Sequence, residues 1–210
     1  MRARLAAIAL VAALPAPAAA HELDEYLQAA RVSLARDHVL CEIDLTPGAN
    51  VADALLALVD PDGDGRVSPG EAEAYGRAVL RDVALEVDGR PIPLTLARVE
   101  VPAVGAMREG AGTIRVRASG RLPTPAGGRR VVDFRNDHRP REGVYLVNAL
   151  APDDRDITIA AQARDPLQRG IRLEYDIGPA RPVQALWLLT GGIGIAGLIA
   201  GRRRPSPRQR

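Results

Sequence analysis

The residues of this chain best suited by type and spacing to do chemistry lie between Asp60 and Glu71, in the run Asp-Pro-Asp-Gly-Asp-Gly-Arg-Val-Ser-Pro-Gly-Glu. Asp60, Asp62 and Asp64 stand at positions one, three and five of a twelve-residue loop. Arg66 offers a backbone carbonyl at seven, Ser68 a direct or water-mediated contact at nine, and Glu71 a bidentate carboxylate at twelve. Gly65 falls where such a loop must turn sharply. These are hard oxygen donors with four formal negative charges, and no thiolate or imidazole stands among them. That chemistry suits Ca2+.

A loop of this kind needs a helix on each side, and the flanks supply the pattern. Upstream, Asn50 is the expected cap of a helix whose apolar positions Val51, Leu55, Leu58 and Val59 share one face. Downstream, Ser68, Pro69 and Glu71 read as N-cap, first and third residues of a second helix, with Ala72, Tyr75, Ala78 and Val79 on one stripe. Residues 50–82 thereby resemble the EF-hand family. The resemblance implies a calcium site formed by Asp60, Asp62, Asp64, Arg66, Ser68 and Glu71.

The rest of the exported region reads as strands. Val39, Cys41, Ile43 and Leu45 alternate with Leu40, Glu42, Asp44 and Thr46. Val83, Leu85 and Val87 precede an Asp88-Gly89 turn, with Ile92, Leu94 and Leu96 after it. Similar runs follow around Ile114, Val132, Tyr145, Ile157 and Ile171, separated by Gly, Pro and Asp clusters. About nine short strands predict a mainly β chain, a single β-sandwich with the helix-loop-helix inserted between its second and third strands. Thr124 to Arg130, rich in Gly and Pro, is the expected flexible loop.

The two ends carry address signals. Residues 1–20 place Arg2 and Arg4 before an apolar run and a small-x-small site, the form of a secretory signal peptide cut after Ala20. Val183 to Gly201 is uncharged over 19 residues. As a helix it would span about 28 Å, enough for a hydrocarbon core. Five arginines follow at 202–210, and the positive-inside rule keeps them in the cytoplasm. The expected arrangement is a domain at 21–181 outside the cytoplasm (periplasmic), a single membrane helix at 183–201 and a basic tail. Removing the two arginines of the leader and the five of the tail from 28 basic residues leaves 21 against 26 acidic ones, a net of −5 for the domain. The pI of about 9.1 therefore gives no argument for nucleic acid.

Three further residues carry smaller expectations. Cys41 lies on the apolar face of its strand; as the one cysteine it forms no internal disulfide, and a bridge to a second chain is the alternative to simple burial. His138, in the polar run Asp133 to Arg141, reads as part of a charged turn. As the base of an envelope hydrolase it would need Asp133 or Asp137 within hydrogen-bond reach. His21, as a mature N-terminus, offers an amine and an imidazole to copper or nickel, the alternative of a metal-handling accessory protein. The segments His21 to Leu34, Phe134 to His138 and Val144 to Ala149 resemble bacterial exported EF-hand proteins of unassigned function. More distantly they resemble the extracytoplasmic region of hydrogenase and urease accessory proteins of the HupE/UreJ type. The expected function is non-enzymatic: a calcium-binding, membrane-anchored structural or interaction module with an envelope protein as partner. With one loop in the chain, either the hand packs on its own sandwich or two chains pair their hands as a homodimer. Gly197 and Gly201, four apart in the apolar run, suit such a dimer.

Overall fold

The computed structural model describes residues 24–122 and 127–178. The expected signal peptide, His21, the apolar run 183–201 and the basic tail lie outside the described residues. Within them the chain is mainly β, with two five-stranded sheets and a helix-loop-helix. No helix among the described residues is long and apolar enough to cross a membrane.

The order is β1 (Tyr26–Leu34), β2 (His38–Pro47), α1 (Ala49–Val59), α2 (Pro69–Arg81), β3 (Val83–Val87), β4 (Arg90–Pro91), β5 (Leu94–Glu100), α3 (Val104–Arg108), β6 (Ile114–Arg121), β7 (Gly128–Asn136), β8 (Gly143–Ala149), β9 (Ile157–Arg164) and β10 (Gly170–Ile177). The first sheet runs β5-β6-β2-β1-β8 and the second β4-β3-β7-β10-β9. All pairs are antiparallel except β1 with β8. The inward residues of both sheets, among them Val32, Ile43, Val116, Phe134, Leu173 and Tyr175, join one apolar core with Leu55, Val59, Tyr75 and Val79 of the helices. The helix-loop-helix falls between β2 and β3, as the pattern predicts.

The outward face of β2 shows why this register holds. Glu42 lies opposite Arg31 of β1 and Arg117 of β6, and pairs with both. Asp44 pairs with Arg31 at 2.8 Å and Arg115 at 3.0 Å. A one-residue slip would bury these charges and expose Cys41, Ile43 and Leu45. Cys41 is 2 % exposed, and burial pushes its thiol up to about 12, so it behaves as a core side chain and a poor nucleophile.

Four sequence expectations change. Gly48, not Asn50, stands at the N-cap of α1; Asn50 is already helical and its amide donates to Asp24. Leu58 is 48 % exposed, and Ala52 and Leu56 take the buried face instead. The Asp88-Gly89 turn does form, both residues at positive φ, yet its hairpin lasts two residues. The Ile92 amide still donates to the Leu85 carbonyl at 2.8 Å, but Pro93 has no amide to carry the ladder on and the chain crosses over, so Leu94–Glu100 pairs with β6 in the other sheet. Of the expected loop at 124–130, Gly128 to Arg130 are strand, paired with β10.

The helix-loop-helix lies against the first sheet where α2 meets β5. A Cβ added at Gly76 would stand 2.4 Å from Val99 Cγ2 and 3.2 Å from Leu96 Cδ1. Gly76→Ala is therefore expected to destabilise the chain by about 1–3 kcal/mol, read as a lower urea midpoint at unchanged slope.

Strand direction sets the two ends of the described fold. Tyr26 pairs with Pro47, so α1 begins beside the start of β1. Gly178 lies at the other end, by the β1-β2 turn, where Arg36 Nη1 donates to its carbonyl and its own amide donates to Asp156 O at 2.7 Å.

Candidate metal centre

The loop between α1 and α2 is shaped by its own carboxylates. Asp60, 8 % exposed at the C-cap of α1, accepts the amides of Gly63 and Gly65 on its two oxygens, each at 3.0 Å. Gly65 has φ +81°, the left-handed region where a Cβ costs most, so the sharp turn expected there is present. Asp62 accepts the Asp64 amide at 3.2 Å, and Asp64 the Arg66 amide at 2.7 Å. Ser68 and Glu71 close a reciprocal capping box: Glu71 Oε2 accepts from the Ser68 amide and hydroxyl, both at 2.8 Å, and the Glu71 amide donates back to Ser68 Oγ at 3.3 Å.

These turns bring Asp60, Asp62 and Glu71 together, with one carboxylate oxygen from each lying within 4.8 Å of the others. Oxygens bound to one calcium ion at about 2.3–2.6 Å are at most about 5 Å apart, so the three fit a single ion. Asp64 is outside that trio, and Arg66 and Ser68 are exposed on the same loop. The cost of crowding shows at Asp62. The Asp64 amide lowers its carboxyl, but the hydrogen bond with Asp60 and the charges of Glu71 and Asp64 prevail, holding it above the usual aspartate range. A bound cation would relieve that repulsion. Val67, at loop position eight, is half-buried against the chain's own core.

Behind the helix-loop-helix lies a feature the sequence pattern misplaces. His138 is no surface turn residue: it is 5 % exposed, just after β7. Its Nδ1 is 2.8 Å from Asp82 Oδ2, at the C-cap of α2, and its Nε2 is 3.3 Å from the Tyr75 hydroxyl, which is 2.6 Å from that of Tyr26. The expected carboxylates are engaged elsewhere, Asp133 with Arg172 at 2.8 Å and Asp137 with Arg135 at 2.6 Å. The backbone is held as firmly. The His138 carbonyl accepts from Gln28 Nε2 at 2.7 Å and Tyr145 Oη at 2.6 Å, while Asn136 accepts the His138 amide and donates to Gln28. The signal for this network was Gln28, an amide 0 % exposed at an inward strand position, which demands buried partners.

The protons in the chain have one consistent order. With neutral His138, Tyr26 donates to Tyr75, Tyr75 donates to Nε2, and Nδ1 donates to Asp82, so each donor has an acceptor. A proton on Nε2 makes it a donor to the Tyr75 oxygen and leaves one of the two buried tyrosine hydroxyls with no acceptor among the described residues, at a cost of about 1–3 kcal/mol. The ion pair gained with Asp82, whose side chain is 47 % exposed, returns at most about 1 kcal/mol. Burial accordingly depresses His138 below its ordinary range although Asp82 pulls it up, and burial pushes Tyr75 up to about 12. The unfolded chain then binds a proton near about pH 6.5 that the folded chain takes up only at lower pH. This share of stability is complete above that pH and is lost as pH falls through the window between the two values. Urea melts from about pH 7.5 down to about pH 5 should show the loss, and His138→Gln should remove it.

Compared with known proteins, the chain matches no family model and no curated protein.

Proposed function

We propose that this chain is a calcium-binding structural or interaction module with one EF-hand, held at the membrane with its β domain outside the cytoplasm, and that the ion braces the hand for contact with an envelope protein. The observation that carries the reading is the convergence of Asp60, Asp62 and Glu71 within 4.8 Å on the loop between two helices. The packing of α2 on β5 and of Val67 on the core supports a bracing role over a signalling one, because a hand that presents its loop strand to a second hand leaves that residue free. The leader at 1–20 and the apolar run at 183–201 support the location.

The test is direct calcium titration of the full chain. One ion per chain should bind, magnesium should compete poorly, and Glu71→Gln should weaken binding by about a hundredfold or more through loss of the bidentate charge. Absence of calcium uptake by the unmodified chain would end the reading.

A further inference from the structure

The Asp82-His138-Tyr75-Tyr26 chain does more than fill the core. It grips α2 at two places, mid-helix through Tyr75 and at the C-cap through Asp82, whose carbonyl also accepts the Asp137 amide at 2.9 Å. Glu71 sits one turn before Tyr75 on the same helix stripe. A helix moves as a unit, so what fixes Tyr75 also fixes the position of Glu71 relative to Asp60. On the other side the grip ends in the start of β1, through Tyr26.

We propose that this chain is a proton-operated latch holding the helix-loop-helix against the first sheet, so that acidification loosens α2 and weakens calcium binding at its N-terminal end. The calcium half rests on the reading of the loop given above. The groups facing His138 are Asp82 and Tyr75 from α2, Tyr26 from β1, and Arg139 and Glu142 from the β7-β8 connection. Arg139 and Glu142 are paired with each other at 3.3 Å, so their opposed charges largely offset at the imidazole. Proton uptake at His138 turns Nε2 into a donor to the Tyr75 oxygen, so one of the two tyrosine hydroxyls is left with no acceptor among the described residues, a penalty that is relieved when α2 moves away and water reaches it.

Hydrogen exchange on the full chain tests the latch without calcium. Protection of amides in 69–81 is measured at about pH 7.5 and about pH 5, relative to those of β6, which cancels the intrinsic pH dependence. The unmodified chain should lose protection in α2 by about tenfold or more at the lower pH. His138→Gln, which keeps one donor and one acceptor but gains no proton, should lose less than about twofold. Tyr75→Phe should exchange faster in α2 at both pH values, with the pH effect again below about twofold. Equal protection of the unmodified chain at both pH values, or an undiminished loss in both variants, would overturn the latch. Calcium titration over the same pH pair then tests the second half. Affinity should fall about tenfold further in the unmodified chain than in His138→Gln, whose remaining loss reports the loop carboxylates alone. Equal falls would overturn that half. A chain that binds no calcium at either pH overturns it together with the functional reading, while the exchange result judges the latch by itself.

Discussion

Calcium at a hundred times its dissociation constant should raise the melting temperature of this chain by about 5–10 °C, and Glu71→Gln should erase the rise. The size follows from linkage: a ligand at that excess, bound to the folded chain alone, contributes about 2.7 kcal/mol, and a domain of this length gains about 2–4 °C per kcal/mol. Glutamine is the informative replacement because it is accepted at the third position of a capping box, so the tie between Ser68 and residue 71 survives and the melt in chelator should barely move. The variant therefore separates the proposed ligand role of Glu71 from its capping role. Asp53→Asn is the control, since Asp53 is an exposed acid on α1 paired with Arg108 and takes no part in the loop. Indistinguishable melts of the unmodified chain with calcium and with chelator would remove the ion from the account of stability.

Tyr75→Ala should cost about 3–5 kcal/mol, more than any single change in the loop. Tyr75 is 3 % exposed, its ring packs edge-on to His138, and its hydroxyl is the link between His138 and Tyr26. Truncation leaves a cavity between α2 and the sheet and strands two buried polar groups at once. Tyr75→Phe keeps the ring and should cost about 1–3 kcal/mol. Urea unfolding would read both, with the midpoint falling and the slope unchanged. Equal losses in the two variants would mean that packing contributes nothing beyond the hydroxyl.

The sequence was most legible where one local rule decides the outcome. The capping box at Ser68 and Glu71, the turn at Asp88 and Gly89, and the alternation of β2 each depend on a few neighbouring residues, and each is present as read. β1 was harder to see because its two faces trade character. Gln28 points inward and Leu27 outward, 37 % exposed, so the apolar alternation is blurred. The departure of β5 to the other sheet depends on which strand it meets after the prolines, which no local pattern states. His138 was misread for a related reason. Its neighbours Asp137 and Arg139 pair locally with Arg135 and Glu142, while its true partners, Asp82, Tyr75 and Tyr26, lie 56 to 112 positions away in sequence and meet only through the fold. Of the loop, the trio Asp60, Asp62 and Glu71 followed from spacing, while the role of Asp62 as the crowded member follows only from the turn geometry.

The chain enters the described fold beside Tyr26 and leaves it at Gly178, at opposite ends of the strands. A mechanical load applied between those points would run along β1 and β10, and hydrogen bonds lying across the strands would be strained together in shear, not unzipped one after another. Strands of nine residues in β1 and eight in β10, about 26–30 Å long, would thus resist as a bundle of parallel fibres. A module of this build can serve as a stiff strut between a fixed point at one end and a gripped partner at the other.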